Sequence, residues 1–367
     1  MAGGVRMKLV VFGLTITSSW GNGHATLWRA LCHALSARGH RIVFFERDVP
    51  WYAEARDQMH FPGVEIVLYS NWEEARPLAE THLRDAEVAM VTSYCPDGVA
   101  ASNAVLSSKA LARVFYDLDT PVTLDRLRAG ERPSYLPPQG LGGFDLVLSY
   151  TGGAALDRLQ SELGARRVAP LYGSVDPALH RPGPATPDYK ADLSYLGTYA
   201  ADRQAALEAL LVNPARRLPH RRFVIGGSQY PEAFPWAPNI FFVRHMPPPE
   251  HPAFFSSARL TLNVTRRAMA ELGHCPSGRL FEAAACGTPI LSDWWEGMDR
   301  FYAPGGEILI ARSTEDAIAA ISLSDAELRR IAQSARERTL AEHTAEHRAR
   351  DLEQALEVLN NPIATEA

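Results

Sequence analysis

One segment in the second half of the chain combines an arginine, a glutamate and two glycines at helical spacing. The segment spans residues 277–289 and reads SGRLFEAAACGTP. Ser277 can cap a helix that begins near Gly278, and Gly287 can end that helix in the left-handed conformation. A helix N-terminus carries unpaired N–H groups and about half a positive charge, so we predict that this end binds a phosphate.

Two charged side chains of this segment fit the rest of a nucleotide. Arg279 adds a fixed cation with a fork of donors, and Gly278 lets a phosphate approach the backbone closely. Glu282 lies on the same helix face and leans back toward the N-terminus, where its carboxylate can accept hydrogen bonds from a ribose diol. The alternative is that both are solvated surface residues. The apolar neighbours of Glu282 favour the functional interpretation, because buried carboxylates usually have a partner.

Polar residues follow two other predicted strands of the same half. Asn263 and Arg266 follow one strand, and Arg244 and His245 follow another. Strand-end loops are where binding residues concentrate. Arg266 could contact phosphate or sugar or could be a surface cation, and the sequence leaves both open. His245 is placed near the nucleobase, with a structural role as the alternative.

In the first half, a loop with two glycines leads into the first predicted helix. It contains Trp20, Gly21 and Gly23 and ends at His24. Glycines beside a helix N-terminus make room for a ligand, and histidine is the usual general base near neutral pH. We therefore predict that His24 is catalytic and that the loop lies on the acceptor side. A capping or packing role for His24 is the alternative.

A second candidate in this half is the sequence YDLD at residues 116–119. The D-x-D pattern suggests a divalent-metal site, but two carboxylates are too few ligands, so no metal site is predicted. Asp119 is instead predicted to line the catalytic site. Tyr94, Trp20 and Trp51 could stack against sugars, although aromatic residues more often fill cores.

The elements that must position these residues are predicted from hydrophobic patterns. Continuous apolar runs, typical of buried parallel strands, alternate with amphipathic segments such as the predicted helix at 24–38. The predicted strands of the first half cover residues 8–13, 41–45, 64–69, 88–92, 112–116 and 146–150. Four prolines then crowd into residues 177–187, and proline-rich segments stiffen linkers.

Beyond the prolines the pattern restarts. Strands are predicted at residues 193–196, 222–225, 240–243, 260–264, 289–291 and 308–310, with helices at 202–211, 278–286 and 314–321 and from 325 onward. The pattern predicts an α/β fold of two doubly wound, Rossmann-like domains facing a central cleft, with C-terminal closing helices. The predicted parts are an acceptor-side domain (1–173), a linker (174–188), a donor domain (189–340) and a helix packing back on the first domain (341–367).

Several stretches resemble GT-B glycosyltransferases, specifically the spore-maturation (CgeB-like) branch related to glycosyltransferase family 4. Besides residues 277–289, FDLVLS at 144–149 with LYGSVDP at 171–177 is similar to the family's interdomain crossing, and LSYLGTY at 193–199 resembles the opening of its donor domain. The resemblance covers most of the chain. It implies metal-independent transfer of a sugar, without a cofactor, from a nucleotide-diphosphate sugar to a small-molecule, glycan or protein acceptor.

The resemblance also implies roles for individual residues. Glu282 would hold the donor ribose, while Arg203 and Arg279 would face the diphosphate. Family 4 members generally carry a second glutamate eight positions before the ribose glutamate, and His274 stands there in this sequence. The residues predicted to bind the donor are Gly197, Tyr199, Arg203, His245, Asn263, Arg266, Ser277, Gly278, Arg279 and Glu282.

Composition narrows the choice of partner and compartment. The net charge is −5, with 37 basic and 42 acidic side chains mixed along 367 residues, which disfavours a nucleic-acid partner. Four widely spaced cysteines without a C-x-x-C pair are typical of buried thiols in a reducing compartment. The apolar run near the start is too short for a transmembrane segment, so a cytoplasmic location is expected.

Two other enzyme classes and one non-catalytic class compete with this interpretation. Gly21-x-Gly23-x-x-Thr26 is close to the dinucleotide fingerprint of NAD(P)-dependent oxidoreductases, and Glu46 ends the second strand where a ribose-binding acid is expected. The fingerprint should begin where the first strand ends, at Gly13, but it begins at Gly21, and Thr26 replaces its third glycine. Both departures count against an oxidoreductase. A nucleotide-sugar epimerase or hydrolase would share the fold, as would a sugar-binding protein without activity.

Overall fold

The computed structural model describes residues 6–360. Two compact units form within it: unit 1 contains the chain up to Tyr172 together with the helix that begins at Ala345, and unit 2 contains Gly173–Thr344. Residues of the predicted proline-rich linker bond within unit 2, where the N–H groups of Gly183 and Thr186 donate to hydroxyls of Ser256 and Ser257.

Unit 1 is built on a seven-stranded parallel sheet in the order β3-β2-β1-β4-β5-β6-β7. Its strands are β1 (Lys8–Gly13), β2 (Arg41–Arg47), β3 (Val64–Tyr69), β4 (Val88–Thr92), β5 (Ala112–Asp117), β6 (Leu146–Ser149) and β7 (Val168–Pro170). Its first six helices are α1 (His24–Ala37), α2 (Pro50–Ala53), α3 (Trp72–Leu83), α4 (Gly98–Ser107), α5 (Thr120–Arg128) and α6 (Ala154–Leu163).

Successive side chains of β1 point to opposite faces of the sheet, and both faces are covered. Leu9 and Val11 pack with Trp28 of α1 on one face, while Val10 and Phe12 pack on the other face. A strand that is buried on both sides must be apolar throughout, which explains the continuous runs in the sequence.

Unit 2 repeats the design with six parallel strands in the order β10-β9-β8-β11-β12-β13. Its strands are β8 (Leu193–Leu196), β9 (Phe223–Gly227), β10 (Ile240–Arg244), β11 (Thr261–Asn263), β12 (Ile290–Ser292) and β13 (Leu309–Ile310). Its α-helices are α7 (Gln204–Leu207), α8 (Asn213–Arg217), α9 (His251–Ser256), α10 (Arg267–Leu272), α11 (Gly278–Ala285), α12 (Thr314–Ile321) and α13 (Asp325–Glu342). The predicted fold class, a doubly wound α/β structure in each half, is confirmed.

One predicted helix, at 202–211, has a different form. A short 3-10 turn, α7, a π-helical segment (Glu208–Val212) and α8 follow one another and extend the helical region to Arg217. Pro214 lacks an N–H group, and its ring crowds the carbonyl four residues earlier, so an ordinary α-helix cannot continue through it. The wider π turn accommodates this proline.

The last described helix, α14 (Ala345–Asn360), returns to unit 1 and packs against α1. Leu352 and Leu356 are buried in the same core as Trp28. At the edge of this contact, Arg38 Nε and His40 Nε2 each lie 2.7 Å from the Glu353 carboxylate. No helix among residues 6–360 is long and apolar enough to cross a membrane.

In each sheet the strand order reverses between two central strands: β1 and β4 in unit 1, and β8 and β11 in unit 2. In open α/β sheets, ligands bind beyond the carboxyl ends of strands at such a switch point. His24 follows β1, whereas Gly197 and Asn263 lie at the carboxyl ends of β8 and β11. The candidate residues therefore lie where each sheet is expected to bind a ligand.

Candidate functional site

In unit 2, the N-terminus of α11 lies at the centre of the candidate donor site. Ser277 is extended and is the N-cap residue of α11, as predicted, but its side chain makes no capping hydrogen bond. The main-chain carbonyl of Ser277 instead accepts from Leu280 N at 3.0 Å. At the other end, Gly287 adopts the predicted left-handed conformation, with φ of 74°.

Arg279 lies in a partly buried setting without a carboxylate partner. Its Nη1 lies 3.4 Å from Asn263 Oδ1, and its guanidinium lies 5.4 Å from the ring centre of Tyr195. A Cβ at Gly197 would come within 3.0 Å of Arg279 Nη2 and 2.8 Å of the Tyr195 hydroxyl. A side chain at position 197 would therefore displace the ends of the Arg279 and Tyr195 side chains.

A second arginine contributes to the same region. Burial lowers the pKa of Arg279, and the neighbouring charge of Arg203 lowers it further. Arg203 Nη1 donates to Thr198 O at 3.2 Å, while its buried Nε has no hydrogen-bond partner. Among residues 6–360, no carboxylate oxygen lies within 4.0 Å of a nitrogen of either guanidinium. Two such cations and a helix N-terminus form a site for an anion.

Glu282 lies one turn into α11 and is nearly buried. Its Oε2 lies 3.4 Å from His251 Nδ1, and His180 is also adjacent. Burial alone would raise the pKa of Glu282, but the charges of His180, His251 and Arg279 outweigh burial and hold the pKa at about 2. The carboxylate is therefore ionised at neutral pH and can accept hydrogen bonds.

The carboxyl ends of β9 and β10 carry strained backbone and aromatic rings. Gln229 and His245 have φ of 64° and 53°, a conformation that is uncommon for residues other than glycine and concentrates at functional sites. His245 N donates to Gly227 O at 2.7 Å. The rings of Tyr199 and Tyr230 lie 5.6 Å apart, and the Tyr230 hydroxyl donates to Gly197 O at 3.1 Å. This region adjoins Gly197 and can hold a flat ring.

Not every predicted donor residue joins the arginine pair. Arg266 lies 3.4 Å from Asp202 and is more exposed, so its charge is already balanced. Asn263 is buried, with its amide nitrogen 3.0 Å from Ser292 Oγ, and its oxygen faces Arg279. Asn263 thus supports the arginine, whereas Arg266 stands apart from it.

In unit 1, His24 and Asp119 come together at the carboxyl ends of the central strands. His24 Nε2 lies 3.6 Å from Asp119 Oδ2, and the Tyr94 ring stands edge-on at 5.3 Å. Tyr94 has φ of 63°, another strained residue at a strand end. The buried Nδ1 of His24 has no hydrogen-bond partner. Such a histidine next to a carboxylate can take a proton from a hydroxyl.

The loop before His24 is held in place by a buried glutamate. Glu46 accepts from Thr15 Oγ1 and Ile16 N, and from both N and Oγ1 of Thr17, at 2.6–3.0 Å. It is fully buried, so it is not free to bind the ribose of a dinucleotide, which removes one support of the oxidoreductase interpretation. Beyond this anchor, Trp20 is 42% exposed and Gly21 has φ of 67°.

Asp117, the first carboxylate of the D-x-D sequence, is buried beneath this site. Its Oδ1 accepts from Thr123 Oγ1 at 3.1 Å and from Asp119 N at 3.2 Å, while Oδ2 has no partner. Burial raises its pKa to about 6. In the described part of the chain, the pair belongs to no group of three possible metal ligands.

The sequence does not indicate several of the residues at these sites. His180, His251, Tyr195 and Tyr230 contact the predicted donor residues, and Asn22 bonds the first turn of α1 through Ala25 N at 3.1 Å. Only the aromatic character of the tyrosines gave a signal, and aromatic residues are more often core residues.

Comparison with known proteins identifies the fold. Residues 203–354 match a family described as glycosyl transferase-like. Sucrose-phosphate synthase from Thermosynechococcus elongatus is 15% identical, with 97% of this chain and 100% of that chain covered and a TM-score of 0.72. HepE of Anabaena, solved with UDP and glucose, is 12% identical over 96% of this chain and 100% of that chain, with a TM-score of 0.69.

A glucosyltransferase that has been solved in complex with DNA also has a similar structure. The alpha-glucosyltransferase solved with UDP is 12% identical over 96% of this chain and 100% of that chain, with a TM-score of 0.72, and a related structure contains UDP-glucose and DNA. A comparison with curated protein sequences gave no match. The chain therefore has the GT-B fold, and its match to the glycosyl transferase-like family supports glycosyltransferase activity.

Proposed function

We propose that this protein transfers a sugar from a nucleotide-diphosphate sugar to an acceptor, and that unit 2 binds the donor. The observation that carries the proposal is the pair Arg203 and Arg279, two guanidinium groups without a carboxylate partner beside the N-terminus of α11. A diphosphate supplies the negative charge that this arrangement lacks. Because solved proteins of this fold contain UDP and glucose, uridine diphosphate glucose is the first donor to test.

The same charges account for catalysis without a metal ion at the diphosphate. As the sugar departs, negative charge grows on the leaving diphosphate. Fixed donors aimed at that charge stabilise the transition state, and a helix N-terminus with two arginines provides such donors. Glu282, ionised and one turn further along α11, accepts the ribose hydroxyls. We assign Tyr199 and His245 to contacts with the nucleobase.

In unit 1, His24 and Asp119 would act on the acceptor. The histidine takes the proton from the acceptor hydroxyl, and Asp119, 3.6 Å away, orients and stabilises the protonated ring. An inverting transfer requires such a base, whereas a front-face retaining transfer passes the proton to the leaving phosphate. The exposed Trp51 and Trp20 offer flat surfaces for the acceptor. A net charge of −5 favours a small molecule, glycan or protein over nucleic acid.

Finer assignments follow from the same reasoning. We place the protein in the CgeB-like branch related to family 4 on the basis of the residues 277–289, with His274 as its departure from that pattern. Because the widely spaced cysteines are typical of a reducing compartment, we propose a cytoplasmic location.

A thermal-shift screen against nucleoside diphosphates, their sugar conjugates and NAD(P) tests the proposal. A ligand at 100 times its dissociation constant adds ~2.7 kcal/mol to the free energy of unfolding, which is easily seen. We expect stabilisation by a nucleoside diphosphate in the presence of a chelator. Stabilisation by NAD or NADP alone would show that the proposal is wrong, and a requirement for added Mg²⁺ would refute its metal-independent part.

A further inference from the structure

Three residues of unit 2 with metal-ligand chemistry meet although they come from different parts of the chain. His180 precedes the first strand of the unit, His251 begins α9, and Glu282 lies in α11. One ligand atom from each lies within 4.8 Å of the other two. Among residues 6–360, this is the one group of three histidine, cysteine or acidic residues that is arranged in this way.

One of the two histidines lacks the partners that buried imidazoles normally have. His180 is 4% exposed, and neither of its ring nitrogens makes a hydrogen bond. His251 Nδ1, in contrast, is paired with Glu282 Oε2 at 3.4 Å. Buried polar atoms are rarely left unpaired, so the two nitrogens of His180 indicate a bound species that the described residues do not provide.

The chemistry of the three side chains favours a cation as that species. Imidazole nitrogens and carboxylate oxygens are ligands that bind metal ions. The Glu282 carboxylate, which lies beside both rings, disfavours an anion in the same place.

We propose that His180, His251 and Glu282 bind a divalent transition-metal ion, for which Zn²⁺ is the best fit. Two histidines and a glutamate are a known zinc ligand set, with a fourth position left for water. Mg²⁺ and Ca²⁺ prefer oxygen ligands and are not expected here. Zinc–ligand bonds of about 2.0–2.2 Å place tetrahedral ligand atoms roughly 3.4 Å apart, so the three atoms, which lie within 4.8 Å of one another, would draw together around the ion.

The metal would join three segments of unit 2 and fix the orientation of Glu282. It would bind the Oε2 side of the carboxylate that faces His251. This role is separate from the charge of the arginine pair at the start of α11, and the proposal does not depend on which donor the protein uses.

Isothermal titration of the chelator-treated full-length protein with ZnCl₂ is the test. We expect one tightly bound Zn²⁺ per chain, and Co²⁺ in its place should show the visible absorption of a tetrahedral site. Because even changes outside the ligand shell cost 10–100-fold in metal affinity, His180→Ala and His251→Ala should each weaken binding by about 100-fold or more. The matched control is His220→Ala, an exposed histidine of the same unit, which should bind zinc like the wild type.

Circular dichroism and thermal unfolding in chelator verify that each variant folds. Zinc should also raise the unfolding temperature of the wild type and of His220→Ala, but not that of His251→Ala, since a ligand stabilises only a protein that binds it. Absence of stoichiometric zinc binding by the wild type overturns the proposal. Equal zinc binding by His251→Ala, or Mg²⁺ binding as tight as that of Zn²⁺, overturns it as well.

Discussion

Replacing Arg279 by methionine should weaken nucleotide binding strongly and leave the free energy of unfolding of the ligand-free protein almost unchanged. In the ligand-free protein this arginine is partly buried, lies near Arg203 and has no carboxylate partner. Methionine retains most of the side-chain volume and removes the charge. Two contributions are lost: the cation–π contact with Tyr195, worth ~0.5–1 kcal/mol, and the attraction to the charge of Glu282. Both losses are opposed by relief of burial and of repulsion from Arg203. We therefore expect the free energy of unfolding to stay within about 1 kcal/mol of wild type.

Nucleotide binding should change far more. Hydrogen bonds to charged groups contribute about 1.5–3 kcal/mol, and ~2.7 kcal/mol corresponds to a dissociation constant raised about 100-fold. At a nucleotide concentration of 100 times the wild-type value, the stabilisation falls from ~2.7 to ~0.4 kcal/mol. At roughly 2–4 °C per kcal/mol for a unit of this size, a shift of about 5–11 °C should shrink to less than about 2 °C.

The assay is a thermal-shift titration with uridine diphosphate in chelator, followed by calorimetric titration. Arg217→Met is the matched control, because Arg217 is exposed in the same unit and pairs with Glu315 at the surface. The control should retain the full shift. An undiminished shift in Arg279→Met would refute the diphosphate role, and a variant that unfolds without ligand would show that the charge is structurally required.

Three further predictions concern Glu282, His24 and Asp117. Glu282→Gln should weaken uridine diphosphate binding ~10–100-fold but spare a 2′,3′-dideoxy nucleotide; equal losses in calorimetry would contradict the ribose role. His24→Gln should slow sugar transfer by ~10²–10⁴-fold in a steady-state assay with unchanged donor binding, and a normal rate would rule out general-base catalysis. The folded pKa of Asp117, about 6, lies above its unfolded value, so the native state binds more protons and stability falls as pH rises through this window. Denaturant unfolding at about pH 4 and pH 7 should show a fall of ~2 kcal/mol from this group that Asp117→Asn lacks, and identical profiles would disprove the shift.

The fold was predictable because burial on both faces leaves a strong local pattern. β1 and β4 are apolar throughout, and such runs are hard to mistake when helical segments separate them. β7 has three residues and ends in Pro170, and it was not predicted. The single helix predicted at residues 202–211 is wrong in form, because the effect of Pro214 depends on how the neighbouring turns adapt.

The candidate sites were predictable only where local sequence carries the chemistry. Gly278, Arg279 and Glu282 are close in the sequence, so helical spacing is enough to group them. His180 and His251 approach Glu282 only through the folding of unit 2, and nothing near either histidine in the sequence indicates it. Strand-end positions indicate His24 and Asp119 separately, and their distance of 3.6 Å follows from the order of the sheet. The functional roles of all these residues stay predictions.

The return of α14 to unit 1 has a consequence for how the protein is made. Arg38 pairs with Glu353, 315 positions later in the chain, and Leu352 and Leu356 complete the core around Trp28. At about 5–20 residues per second, a ribosome needs roughly 15–60 s to synthesise the residues between these partners. Unit 1 must therefore remain incomplete, with part of its apolar core uncovered, while the whole of unit 2 is synthesised. During that interval, unit 1 should be the part of the nascent chain that depends most on a chaperone.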